Sequence, residues 1–150
     1  MTEPTMIIRS MQDGDESAVV SLWEKAGLTR PFYETGRDIR FARAGETSDI
    51  LVGVCDEKIS ASVMVGHDGH RGNVYYVATD PDAAIPGLGR AIMEAAEDWL
   101  RRRGVWKLNL MVRASNEKVH GFYEAIGYVT QPRTVFTKWL EEPPESFPGD

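Results

Sequence analysis

Two glycines, Gly87 and Gly89, stand between an apolar strand pattern that ends near Thr79 and a long helical pattern that starts at Leu88. The N-terminus of a helix carries about half a positive charge and several N–H groups with no partner inside the helix. A glycine there lets the backbone approach a ligand with no Cβ in the way. Residues 77–90 therefore make a candidate cradle for a phosphate or pyrophosphate. No Gly-Lys-Ser/Thr follows, so this is not a Walker loop. The strands ahead of it read as hairpin-linked, so no βαβ dinucleotide unit surrounds it. Elsewhere the polar run His67-Asp68-Gly69-His70-Arg71 has the look of a metal cluster. It is short, sits in a turn and has no further ligand nearby in the sequence, so no metal is expected. Cys55 lies in an apolar strand pattern, where a thiol packs as a small hydrophobe rather than acting as a nucleophile.

The elements that must hold these residues follow from periodicity. Residues 6–10 predict a strand. Asp13, with Glu16 three residues on, has the spacing of a capping box. Val19, Leu22, Trp23 and Ala26 then recur at helical spacing, and Gly27 closes the helix. A second helix is expected over 35–44, with Arg37, Arg40 and Arg43 as a solvated face. Residues 50–55, 59–65 and 74–78 predict three strands of an antiparallel meander, with turns at 56–58 and 66–73. Tyr75 and Tyr76 should point to opposite faces, one lining a channel and the other packing the core. Asp80-Pro81 breaks the third strand. The helix that begins at Gly87-Leu88-Gly89 runs to Arg103, and its apolar stripe is Leu88, Ala91, Ile92, Ala95, Ala96, Trp99 and Leu100. A strand over 107–112 follows, then a helix capped by Ser115 and running through Ile126, then strands at 128–129 and 134–140.

Composition sets the outer limits. The 150 residues suit one domain, and 42% hydrophobic with 27% charged residues is the mix of a globular protein. No apolar run reaches the ~20 residues of a membrane span, and no secretory pattern opens the chain. A single cysteine makes no internal disulfide, which points to a reducing cytoplasm. The net charge is −6, but the last ten residues hold four of the 23 acids and no base, which leaves 19 acids against 17 bases in the rest. A nearly neutral body is not the basic face of a nucleic-acid binder. Residues 141–150, with three prolines, read as a solvated acidic tail on a domain spanning 1–140.

A second motif lies about 30 residues beyond the glycines. Asn116, Phe122, Tyr123, Gly127 and Tyr128 spell Asn-x-x-x-x-x-Phe-Tyr-x-x-x-Gly-Tyr. Together with the strand–loop–glycine–helix step, this resembles the GNAT superfamily of acyl-CoA-dependent N-acyltransferases. Leu28-Thr29-Arg30-Pro31, Asp38-Ile39, Asp68-Gly69-His70-Arg71-Gly72 and Tyr75-Tyr76 are similar to its bacterial YpeA-like branch. The resemblance is collinear from about Ile7 to about Leu140. It implies an α/β fold in which a central, mostly antiparallel sheet of about seven strands is flanked by four helices.

The same resemblance assigns roles. The family's pyrophosphate loop falls on Ala84-Ile85-Pro86-Gly87-Leu88-Gly89, so Ile85, Pro86, Gly87, Leu88 and Gly89 would hold acetyl-CoA, with Arg90 adding charge. Ala84 stands where the family has Arg or Gln, and Pro86 has no N–H to offer a phosphate. The backbone of Val77, Ala78 and Thr79 would pair with the pantetheine arm, and one N–H there would polarise the thioester carbonyl. Asn116 would contact the cofactor, and Tyr123 would protonate the leaving thiolate as the catalytic acid. Arg30, Asp38, Asp68 and Tyr75 would line the acceptor side. Asp68, His67, His70, Glu34 and Asp38 are candidate bases. Arg30, Arg37 and Arg40 would suit an anionic acceptor, whereas Glu34, Asp38 and Asp68 would suit a polyamine. The function implied is acetyl transfer from acetyl-CoA to a primary amine of a small molecule or protein by direct attack in a ternary complex, with no metal, and the family suggests a homodimer. The altered loop leaves an alternative, a non-catalytic acyl-CoA-binding module.

Overall fold

A computed structural model describes residues 5–29 and 34–142. The chain divides into two compact units, Met1–Leu110 and Met111–Asp150.

In the first unit the elements are β1 (Met6–Ser10), α1 (Glu16–Lys25), α2 (Thr35–Ala44), β2 (Ser48–Cys55), β3 (Lys58–His67), β4 (Gly72–Thr79), α3 (Leu88–Arg101) and β5 (Leu108–Asn109). The sheet order is β1-β2-β3-β4-β5. The first four strands pair antiparallel, and β5 joins β4 in parallel. Expected and observed elements agree closely through α3. The entry to α1 differs in detail. Asp13–Asp15 is a turn of 3-10 helix rather than a cap, and it is Asp15 that accepts the Gln12 N–H at 2.8 Å. Asp15 also binds Arg9 at 2.6 Å, and this guanidinium is the main reason its carboxyl lies below the usual range.

The strand register sorts the core onto two faces. Val19, Leu22 and Trp23 of α1 and Ile39 and Ala42 of α2 bury against Ile50 and Val52 of β2 and Ala78 of β4. Leu51, between those two β2 residues, and its cross-strand partner Val63 point the other way. That second face is covered by α3, which buries Leu88, Ile92, Met93, Ala96, Trp99 and Leu100. Met93 widens the stripe expected from sequence. Gly72 shows how tight the contact is. A Cβ built on it would lie 2.5 Å from a Leu100 methyl, so any larger residue would force Leu100 to shift at the start of β4.

In the second unit the described residues hold one helix, α4 (Glu117–Ala125). Its N-cap residue is Asn116 rather than Ser115. The sheet has five strands among the described residues, not seven. The strand expected over 107–112 is only Leu108–Asn109, and residues 128–129 and 134–140 are irregular. A strand exists only where its backbone finds a ladder. The β-prone residues of 134–140 have none here, and Val135, Phe136 and Leu140 are exposed.

Candidate active site

The site is organised by a break in the pairing of β4. Tyr75 faces Met64 and Ala78 faces Ser62, so Tyr76 and Val77 together oppose the single residue Val63. This is a β-bulge, which bends the strand and re-aims its backbone groups. Tyr76 pays the conformational cost with a φ of 51°, a left-handed value that aromatic residues seldom adopt. Three contacts hold it there. Its ring stacks on Trp23 with centroids 3.9 Å apart and planes 7° from parallel. Its hydroxyl donates to Asp38 Oδ2 at 2.8 Å. Its carbonyl accepts from Ser62 Oγ at 3.1 Å, and the same Oγ accepts from Trp23 Nε1 at 2.8 Å.

Pairing on the other side of β4 is brief. β5 reaches only Gly72 and Asn73. Beyond Tyr76, residues 77–79 have no strand partner on that edge among the described residues, which is where an extended, amide-bearing ligand can pair.

The strand then runs into an anchored loop. Asp80 is buried, and its carboxylate accepts from Lys25 Nζ at 2.8 Å, Lys58 Nζ at 3.1 Å and the Asp82 N–H at 2.9 Å. These contacts, the Lys25 hydrogen bond foremost, hold its carboxyl well below the ordinary carboxylate range. Lys25 also binds Asp82 at 2.7 Å. The loop is thereby tied to α1 and β3 before it reaches α3.

Gly87 is the N-cap of α3, with φ 81°. No atom lies within 4 Å of where its Cβ would be, so the glycine answers the backbone angle and leaves open space beside it. No side chain caps the helix. The first N–H with an intrahelical acceptor is that of Ala91, which bonds the Gly87 carbonyl at 3.0 Å. The N–H groups of Leu88, Gly89 and Arg90 precede it and have no acceptor within the helix. Ile85 is half-buried and Pro86 exposed. The Arg90 guanidinium is exposed and lies 3.3 Å from Glu94, one turn on.

The residues expected on the acceptor side are spread out. Tyr75 is 47% exposed, while Tyr76 packs on the core, as alternation requires. Asp38 is on the first turn of α2, bound to Tyr76. Asp68 is exposed and accepts the N–H groups of His70 and Arg71 at 2.9 and 2.8 Å. Those bonds, Arg71's first, hold its carboxyl below the usual range. His67 Nδ1 accepts the Gly69 N–H within the same turn. Arg37 pairs with Glu34, and Arg40 with Glu16. Arg30 lies outside the described residues. No group of three or more His, Cys, Asp or Glu that could hold a metal occurs among the described residues. A cavity of about 390 Å³ opens between β1, β2 and α3, lined by Arg9, Asp49, Trp99 and Arg102 among others. It shares no lining residue with β4 or the loop that follows.

In the second unit, Tyr123 is a buried residue of α4. It packs edge-to-face with Phe122 at 5.0 Å and Tyr128 at 5.7 Å. Burial pushes its phenol pKa up, which keeps the hydroxyl protonated at neutral pH. Asn116 is exposed and its side chain makes no capping bond.

Three residues here are not marked as functional by local sequence pattern. Asp80 has only the pattern of a strand breaker. Ser62, a polar residue at an inward strand position, and Trp23, a core indole whose N–H needs an acceptor, each carried a signal that points to the other.

The chain with this bulged strand and glycine-started helix belongs to the acetyltransferase (GNAT) family. The model of the acetyltransferase (GNAT) family matches residues 13–128. An acetyltransferase of Yersinia enterocolitica is 38% identical over 135 residues, covering 90% of this chain and 96% of that protein. Among solved structures, aminoglycoside N-acetyltransferase AAC(6')-Iy in complex with CoA superposes with a TM-score of 0.80 at 12% identity, over 93% of this chain and 97% of that one. The ribosomal-protein-S18-alanine N-acetyltransferase of Escherichia coli superposes with a TM-score of 0.70 at 28% identity, over 82% of this chain and 77% of that one. The chain is thus an acetyltransferase of the GNAT type. No helix among the described residues is long and apolar enough to cross a membrane.

Proposed function

We propose that this acetyltransferase takes its acetyl group from acetyl-CoA and passes it to a primary amine by direct attack, both substrates being bound at once. The observation that carries the reading is the continuity of the open, bulged edge of β4 with the uncapped start of α3. The residues suit the substrate. The free N–H groups of Leu88, Gly89 and Arg90 and the open space beside Gly87 suit a pyrophosphate, even with Ala84 in place of an Arg or Gln. The unpaired edge over 77–79 suits the two amides of a pantetheine arm, and an N–H at the bulge suits a developing oxyanion.

Tyr123 is the proton donor to the departing thiolate in this reading. What supports that role is its place in the Phe122-Tyr123-x-x-x-Gly127-Tyr128 motif, and its hydroxyl carries a proton at neutral pH. Cys55 is buried in β2, so direct attack is favoured over a covalent acyl-enzyme. An amine acceptor is supported by the likeness to the S18-alanine N-acetyltransferase, which is 28% identical.

The test pairs calorimetry with thiol release. Acetyl-CoA should bind and raise the melting temperature, by up to roughly 2.7 kcal/mol of added stability at 100 times its dissociation constant. A screen of amines should then find one that accelerates thiol release. Binding with no turnover on any amine would favour an acyl-CoA-binding module, the reading that Ala84 and Pro86 suggest.

A further inference from the structure

The bulge of β4 is held from behind by a buried pair that lies outside the proposed substrate contacts. Ser62 and Trp23 are both fully buried. Ser62 Oγ has one proton to give and gives it to the Tyr76 carbonyl, while the Trp23 indole N–H occupies one of its lone pairs. The indole fixes the direction in which the hydroxyl donates. The indole ring at the same time supports the Tyr76 ring from one face. The Tyr76 carbonyl belongs to the same peptide unit as the Val77 N–H, and a peptide unit is planar. Holding that oxygen therefore sets the direction in which the Val77 N–H points.

Resting on the acetyl-transfer reading, we infer that Ser62, oriented by Trp23, is a positioning residue that aims the Val77 N–H at the acyl carbonyl. Without the Ser62 hydroxyl, nothing from β3 holds the Tyr76 carbonyl, and the Tyr76–Val77 peptide can turn about ψ of Tyr76 and φ of Val77, carrying the Val77 N–H with it. Charge develops on the carbonyl oxygen only during reaction, so the loss falls on turnover rather than on binding.

The experiment uses acetyl-CoA hydrolysis to free thiol, which needs the same carbonyl polarisation and no knowledge of the acceptor. Calorimetry with coenzyme A, which lacks the acetyl group, is the control. Ser62→Ala should lower kcat roughly 10–100-fold, the scale of a misaligned oxyanion contact, with coenzyme A affinity within about twofold of wild type. Ser62→Cys keeps most of the volume but only a weak donor, so it should retain more thermal stability than Ser62→Ala and still lose at least about fivefold in kcat. If Ser62 only filled space, Ser62→Cys would restore kcat. A Cys variant within twofold of wild-type kcat would therefore overturn the inference, whether or not the Ala variant folds. A wild-type protein that failed to bind coenzyme A would overturn the acetyl-CoA reading itself, and this inference with it.

Discussion

The two ends of β4 are built differently. At its start, Gly72 and Asn73 are paired on both sides, to β3 and to β5, and Leu100 presses against Gly72. At its end, Tyr76 and Val77 bulge out of the β3 register, Ala78 and Thr79 have a ladder to β3 only, and Tyr76 sits in a strained backbone state held by side chains. One end spends every backbone group on the fold. The other keeps an edge open and maintains it through buried hydrogen bonds and the Asp80 anchor. A strand can thus serve as scaffold and as binding surface within eight residues, provided that the second role is buttressed from the core.

Substitutions at and beyond the two ends should separate these roles. The largest effect is expected on the chemistry that the open end serves. Tyr123→Phe keeps the ring packing with Phe122 and Tyr128 and should fold, but removing a positioned acid should lower kcat by ~10²–10⁴ with acetyl-CoA affinity little changed. Near-normal kcat in steady-state thiol release would take Tyr123 out of the mechanism.

At the closed end the expected effect is on stability. Gly72→Ala forces a methyl against the buried Leu100, and overpacking of this kind costs about 1–3 kcal/mol. In thermal melts this should appear as a fall of several degrees, roughly 2–4 °C per kcal/mol in a chain of this size, with coenzyme A affinity unchanged at low temperature. A weaker affinity without a lower melting temperature would mean that the two ends are not separable.

Asp80→Ala removes the anchor beyond the open end. Its lysine partners are partly solvated, so the expected loss is about 1–2 kcal/mol, accompanied by weaker coenzyme A binding. The pH dependence has a definite sign. Because the folded-state carboxyl is held below its ordinary value, its contribution is complete above about pH 4–5, the unfolded range, and is lost as the pH falls further. Asp80→Asn should therefore flatten the acid limb of the stability curve in denaturant titrations below pH 5. An unaltered acid limb would show that other carboxylates, Asp15 among them, dominate it.

The smallest effect is a gain. Ala84→Arg places at this position one of the two residues, Arg or Gln, that the resemblance implies there. A charge-assisted contact to phosphate is worth roughly 1.5–3 kcal/mol at best and less at an exposed site, so affinity for coenzyme A should rise several-fold and fall back with added salt. No change by calorimetry would mean that another group already supplies the charge.

Much of this was legible in the residues because local pattern and tertiary context agree. The helix expected over 35–44 matches α2, and the glycine step before α3 is where the sequence places it. The bulge was not legible, because Tyr75-Tyr76 alternates like any strand and the extra residue shows only against its partner β3. The Asp80 anchor joins residues 25, 58 and 80, which no local pattern connects. The strands expected at 128–129 and 134–140 failed for the opposite reason. Their residues favour strand, but propensity without a ladder partner leaves a segment irregular.

The central claim is that the start of α3 receives the pyrophosphate of the acyl donor. Gly89→Glu tests it most directly, because it sets a side chain and a negative charge among the N–H groups of the first turn while preserving helix propensity. The measurement is the dissociation constant of acetyl-CoA by titration calorimetry, with the melting temperature of the free protein as the control for folding. The account predicts a folded variant whose acetyl-CoA affinity is lost or at least about a hundredfold weaker, since a like charge replaces a favourable contact. A folded Gly89→Glu variant that binds acetyl-CoA as tightly as the wild type would contradict it.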